Sequence, residues 1–166
     1  LVLDDSDCMV NICKFFLEFT VEESCGKCTP CRIGNKRLLE MLEKITEGKG
    51  TIEDLDNLRE LATTIKTTSL CGLGKCAPNP VLSTLNNFYD EYLAHVVDKK
   101  CPSGKCQSLL DFIITDACKG CTKCSKVCPA GCITGKVKEQ HEIDITKCLK
   151  CGACMEKCPF KAISKI

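Results

Sequence analysis

Cysteine is the residue through which this chain can do chemistry, and its spacing is regular. Of 166 residues, 18 are cysteine, about 11% and above the ~8–10% that marks a cysteine-built chain. Cys118, Cys121, Cys124 and Cys128, followed by Pro129, recur thirty residues later as Cys148, Cys151, Cys154, Cys158 and Pro159. A tight Cys-x2-Cys-x2-Cys loop can wrap three thiolates around three irons of one cubane. The fourth cysteine of each run, turned away by a proline without a backbone donor, is free to reach elsewhere.

The doubled run is the pattern of bacterial two-cluster ferredoxins, in which each fourth cysteine serves the other cluster. Cys118, Cys121, Cys124 and Cys158 are therefore expected on one [4Fe–4S] cluster, and Cys148, Cys151, Cys154 and Cys128 on a second. Paired zinc knuckles are the alternative, but zinc takes its ligands as two pairs rather than as triplets. A third triplet, Cys25, Cys28 and Cys31, lacks a following cysteine at ferredoxin spacing. Its fourth ligand must be distant, and Cys71 in the glycine-flanked loop Leu70-Cys71-Gly72-Leu73-Gly74 is the candidate. Cys31 lies near a helix start, where the dipole favours a thiolate.

A further constellation is smaller. Cys101 and Cys106 flank Pro102-Ser103-Gly104-Lys105, and His95 lies six residues upstream. These supply three ligands of a structural zinc site, with Cys76 as the expected fourth and His141 as another possibility. Two free thiols beside a solvated histidine is the plain alternative. Cys8, Cys13 and Cys132 fit no constellation, and Cys13 and Cys132 read as small packing residues.

The elements that must position these groups are mostly helical up to about residue 100. Ser6 can cap a helix carrying Met9, Ile12, Cys13, Phe16 and Phe19. Thr29-Pro30 opens a second helix with Leu38, Leu39, Leu42 and Ile45, ending at Gly48. Thr51-Ile52-Glu53-Asp54 resembles a capping box before Leu55, Leu58, Leu61, Ala62 and Ile65. Asn79-Pro80 begins a fourth helix with Leu82, Leu85, Phe88, Tyr89, Tyr92 and Val96. Leu109 to Ile114 suits a short strand, and each ferredoxin-like repeat closes on a small-residue and isoleucine segment. The fold class expected is α+β. A four-helix bundle holding an iron–sulfur cluster spans 1–98, a bridge with a zinc loop 99–112, and a two-[4Fe–4S] ferredoxin-like domain 113–166.

Composition narrows the function. With 23 basic and 22 acidic residues the formal charge is +1, which leaves no basic footprint for nucleic acid. No apolar run approaches the ~18 residues of a membrane span. The opening Leu1-Val2-Leu3-Asp4-Asp5 has no basic n-region or apolar h-segment. Together with the Cys-x-x-Cys runs, this points to a cytoplasmic metal protein rather than a disulfide scaffold. Neither a Gly-x-Gly-x-x-Gly fingerprint nor a Ser-His-Asp set occurs, so no nucleotide-binding or catalytic residue is placed here.

Glu23-Ser24-Cys25-Gly26-Lys27-Cys28-Thr29-Pro30-Cys31-Arg32, with Ser69-Leu70-Cys71-Gly72-Leu73-Gly74, closely resembles the C-terminal helical domain of the NADH-binding flavoprotein subunit of respiratory complex I. The resemblance covers roughly residues 5–95. With the appended ferredoxin-like domain, nearly the whole chain looks like the flavoprotein (beta) subunit of electron-bifurcating or NADP-reducing [FeFe]-hydrogenases. It implies that Cys25, Cys28, Cys31 and Cys71 hold the cluster that accepts electrons from FMN. It also implies an upstream FMN- and NAD(P)H-binding domain absent from this sequence, and partner iron–sulfur and hydrogenase subunits. External ferredoxin is a further partner the layout suggests. Three other functions are weighed beside it: a relay module of an NAD-linked formate dehydrogenase, a free ferredoxin-like carrier, and a zinc or redox-sensing scaffold.

Overall fold

The computed structural model describes Leu3, Asp4 and residues 6–165; Leu1, Val2 and Asp5 of the opening segment, and Ile166, lie outside the described residues. The chain divides into two compact units, one ending at Leu109 and the other beginning at Leu110. The expected bridge is thereby split, because Cys101, Cys106 and Leu109 are buried in the core of the first unit.

The first unit is helical. It contains α1 (Met9–Glu23), α2 (Asn35–Thr46), α3 (Ile52–Thr68), α4 (Gly72–Cys76), α5 (Asn79–Asn87) and α6 (Tyr89–Leu93). Two π-helical turns join them, Pro30–Gly34 leading into α2 and Ala94–Asp98 continuing α6. Such turns concentrate at functional sites; here the first carries Cys31 and the second His95. The core comes from the periodic leucines: Leu38, Leu42 and Ile45 of α2 pack with Leu55, Leu58, Ala62 and Ile65 of α3. At the start of α3 the Asp54 carboxylate accepts the Thr51 N–H at 2.7 Å, as a capping box requires.

Three expectations are corrected. Helix α1 begins at Met9 behind Cys8, not behind Ser6, because the Glu91 carboxylate accepts the Met9 N–H at 3.0 Å. Its buried face is Met9, Val10, Cys13, Leu17 and Thr20, while Phe19 is 56% exposed. The fourth helix is not continuous. At Phe88 the backbone leaves helical geometry (φ −132°, ψ 37°), separating α5 from α6 and exposing Phe88 and Tyr89. Tyr92 beyond the break is fully buried, and its hydroxyl satisfies itself on Thr84 Oγ1 at 2.8 Å. Cys13 packs in this core as expected, with Sγ 3.0 Å from the same Thr84 hydroxyl.

The second unit follows its sequence repeat. Strand β1 (Phe112–Ile114) pairs antiparallel with β4 (Ile163–Lys165), Ile114 opposite Ile163. Strand β2 (Ile133–Thr134) pairs antiparallel with β3 (Glu142–Ile143), Ile133 opposite Ile143. One-turn helices α7 (Lys123–Val127) and α8 (Ala153–Lys157) carry the third cysteine of each triplet. Both repeats turn through left-handed backbone at matching positions: Gly120 and Lys150, Thr122 and Gly152, Gly131 and Lys161. Gly120 is the constrained one. A Cβ there would lie 2.5 Å from the backbone nitrogens of Lys138 and Glu139. Gly120→Ala is therefore expected to cost about 1–3 kcal/mol, measurable as a lower unfolding midpoint, whereas Gly131→Ala meets open space and should cost less.

Candidate metal centres

The first cysteine loop runs from Ser24 to the π-helical turn and meets the loop before α4. Backbone N–H groups of Leu70 and Cys31 point at the Cys28 thiol and hold it below the usual thiol range. Cys31 is buried and receives the Asn35 amide at 3.4 Å, with the Ser24 hydroxyl at 3.3 Å. A Cβ on Gly74 would lie 2.7 Å from Ser69 Cβ and 3.3 Å from Cys31 Cβ, so the Cys71 loop closes directly over Cys31. The guanidinium of Arg32 donates to the Gly26 carbonyl at 2.7 Å and shapes the loop between Cys25 and Cys28. Asn35 Oδ1 and Ser69 Oγ are buried with no hydrogen-bond partner. The N–H groups and hydroxyl aimed at Cys28 and Cys31 sulfur, with the Ser69 hydroxyl unpaired beside the Cys71 loop, suit an anionic iron–sulfur cluster at this loop pair.

In the second unit the thiols are the core. Cys124 and Cys154 are buried with Phe112, Ile133 and Ile163, and Cys128, Cys148 and Cys158 pack against them. Burial, reinforced by the neighbouring thiols of the same triplet, pushes Cys124 and Cys154 above the ordinary thiol range. A small cavity is lined by Cys148, Cys151 and Cys154 together with Cys128 of the other repeat, among Phe112, Ile133 and Ile143. The fourth cysteine of one run thus lines a cavity with the triplet of the other. At Cys158, the fourth cysteine of the second run, the Ala162 N–H donates to Sγ at 3.4 Å. Lys150, left-handed between Cys148 and Cys151, forms a 3.0 Å ion pair with Asp111. Thiolates with apolar walls and few competing ligands suit cubane clusters.

The third centre contains a residue that the spacing did not place. Cys8, His95, Cys101 and Cys106 are all buried, and their ligand atoms lie within 4.8 Å of one another. Cys8 Sγ is 3.3 Å from His95 Nε2 and 3.8 Å from Cys106 Sγ; Cys106 Sγ is 3.4 Å from Nε2. A tetrahedron built with Zn–S near 2.3 Å and Zn–N near 2.0–2.1 Å has edges of about 3.8 Å and about 3.6 Å, which these separations match. His95 Nδ1 faces the Glu91 carbonyl at 2.7 Å, leaving Nε2 for a metal. The Cys106 thiol, and secondarily His95, hold Cys8 down to about 4, and Cys106 is pushed up in return. Burial lowers His95, but its contacts with Cys8 and Glu91 more than offset this and leave it raised. Protons crowded among three thiols and an imidazole are what a divalent ion displaces. Cys76 is not in this group; it is exposed at the end of α4. His141 belongs to the second unit, buried with Nε2 unpartnered.

Among the described residues no helix is long and apolar enough to cross a membrane. Residues 110–159 match a 4Fe–4S dicluster domain, and residues 11–95 match the NADH-ubiquinone oxidoreductase-F iron–sulfur binding region. The chain is 57% identical over 166 residues to NADP-reducing hydrogenase subunit HndC of Solidesulfovibrio fructosivorans, covering 99% of this chain and 34% of that protein. It is 41% identical over 109 residues to an NADH-quinone oxidoreductase subunit of Mycobacterium tuberculosis, covering 66% of this chain and 24% of that one. A crystal structure of an NAD+-reducing [NiFe]-hydrogenase in the H2-reduced state superposes with a TM-score of 0.55 at 36% identity, covering 57% of this chain and 16% of that chain. The chain thus spans about a third or less of the length of these relatives. By the match across residues 11–95, the chain belongs to the NADH-ubiquinone oxidoreductase-F iron–sulfur binding family, followed here by a 4Fe–4S dicluster domain.

Proposed function

We propose that the chain is the intramolecular electron relay of a cytoplasmic, flavin-containing, NAD(P)H-linked hydrogenase of the NADP-reducing or electron-bifurcating kind. Three [4Fe–4S] clusters carry the electrons. Cys25, Cys28, Cys31 and Cys71 hold the first; Cys118, Cys121, Cys124 and Cys158 the second; Cys148, Cys151, Cys154 and Cys128 the third. Zinc sits on Cys8, His95, Cys101 and Cys106 and fixes the last turn of the helical unit. An FMN- and NAD(P)H-binding domain, elsewhere in the same polypeptide, supplies electrons to the first cluster. Partner iron–sulfur and hydrogenase subunits or an external ferredoxin exchange electrons with the others. The similarity to HndC along nearly the whole chain supports the hydrogenase assignment. The observation that carries the relay is the gathering of cysteines from both repeats around one apolar cavity, which suits one-electron transfer and offers no proton-transfer machinery.

Iron, acid-labile sulfide and zinc analysis of anaerobically prepared protein, with EPR of the reduced sample, tests this. About twelve irons, equal sulfide and about one zinc per chain are expected, with signals from interacting reduced cubanes. About eight irons would remove the helical-unit cluster and with it the link to flavin. Zinc without sulfide would overturn the relay.

A further inference from the structure

The two ferredoxin-like repeats share their four cysteines, the following proline and the backbone N–H bonds from Gly120 and Lys150 to Cys118 and Cys148 sulfur, and among the residues in which they differ is one buried thiol. Four residues after the fourth cysteine, the first repeat has Cys132 and the second has Ala162. The backbone bond is shared: the N–H of Cys132 points at Cys128 as the N–H of Ala162 points at Cys158. The side chain is not. Cys132 Sγ lies 3.3 Å from Cys128 Sγ, and Cys148 lines the same cavity. Cys132 is 2% exposed and lines that cavity with Cys128, Cys148, Cys151 and Cys154. Five thiols therefore surround a site that a cubane fills with four.

We propose that Cys132 is not a ligand but a hydrogen-bond donor that makes the two clusters of the second unit unequal. The proposal rests on the assignment of Cys128, Cys148, Cys151 and Cys154 to one cluster. A ligand thiolate bound to iron carries no proton, so between Cys128 and Cys132 only Cys132 can donate. Set in an apolar pocket beside anionic ligands, Cys132 keeps its proton, since a further thiolate there would be unpaired and desolvated. An S–H aimed at ligand sulfur stabilises the cluster more when it gains an electron and its negative charge grows. The cluster on Cys128, Cys148, Cys151 and Cys154 is therefore easier to reduce than it would be without Cys132, a contribution its twin lacks because methyl-bearing Ala162 offers no donor. That contribution biases an electron entering this unit toward the cluster beside Cys132.

The test is EPR-monitored redox titration of the cluster-loaded protein beside its Cys132→Ala and Cys132→Ser variants, with iron analysis of each. In Cys132→Ala the reduced-to-oxidised ratio of one ferredoxin-unit cluster should fall about tenfold at fixed potential, about 59 mV for one electron, while the other cluster stays put. Cys132→Ser, which keeps a donor, should recover part of the shift. An exchangeable-proton coupling seen by ENDOR in the parent should vanish in Cys132→Ala. Full iron with unmoved midpoints would overturn the proposal, as would an equal fall in both variants, which would mark a packing effect. Loss of a whole cluster in Cys132→Ala would make Cys132 a ligand and overturn it too. A parent protein short of iron would instead sink the cluster assignment beneath it.

Discussion

Removal of iron and sulfide in a zinc-containing buffer is expected to unfold residues 110–165 while the helical unit stays folded. The second unit has four strands of two or three residues and two one-turn helices. Among the described residues its core cluster is Phe112, Ile133 and Ile163 with Cys124, Cys132 and Cys154, and Leu110 and Ala162 are also buried. A unit of roughly 60 residues is marginal even with a normal apolar core, and here half of the core cluster is cysteine. Without iron Cys124 and Cys154 are buried thiols with nothing to ligate, and the other cysteines of the triplets sit on loops that already adopt left-handed backbone at Thr122, Lys150 and Lys161. The helical unit differs in kind: Leu38, Leu42, Ile45, Leu55, Leu58 and Ile65 make a core independent of metal. Hydrogen exchange distinguishes the two. In the iron-free protein, amides of the β1–β4 and β2–β3 pairs should exchange at rates of an unstructured chain, and those of α2 and α3 should remain protected. Continued protection at Ile114 and Ile163 would show that the small apolar core suffices and that the clusters add function but not fold.

How much of this was legible depends on sequence distance. The cysteine runs are set by local spacing, and the repeat writes that spacing twice, so Cys118 to Cys128 and Cys148 to Cys158 mark a 4Fe–4S dicluster domain without a structure. The periods of α2 and α3 were also legible, because Leu38/Leu42/Ile45 and Leu55/Leu58/Ala62/Ile65 are undisturbed helical stripes. Helix α1 was misjudged at its C-terminal half. Two apolar sets, one with Phe16 and Phe19 and one with Leu17, compete on the same helix, and tertiary packing chose Leu17. The break at Phe88 has no Pro or Gly to announce it. Cys8 was invisible for another reason: its partners His95 and Cys106 lie 87 and 98 residues away, and nothing in the flanking residues marks a ligand. Cys132 could have been noticed by laying one repeat on the other, where Ala162 exposes it as the odd thiol.

The distant pairing at Cys8 leads to the second large effect. Cys8→Ser is expected to abolish zinc binding and to destabilise the helical unit strongly, whereas Cys76→Ser should leave both unchanged. A metal joining Cys8 to His95 closes a loop of 87 residues, and a cross-link of that span is worth about 4–5 kcal/mol on the chain-entropy estimate. For a unit near 100 residues, each kcal/mol shifts the midpoint by about 4–8 °C, so a fall on the order of 20 °C is expected. Such an ion would fasten the start of α1 to the π-helical turn Ala94–Asp98 and to the loop Cys101–Cys106, adding to two hydrogen bonds that already join these segments to their neighbours: the Glu91 carboxylate on Met9 N–H and the Ser103 hydroxyl on the Asp7 carbonyl at 3.0 Å. His95→Ala should repeat the loss, because its Nε2 stands against two of the three thiols. Zinc content and thermal unfolding, measured on the same iron-loaded preparations, separate the outcomes. Zinc lost from Cys76→Ser and retained by Cys8→Ser would mean that the buried quartet holds protons rather than a metal. Zinc lost from Cys8→Ser with an unshifted midpoint would mean that the ion occupies the site without bracing the fold.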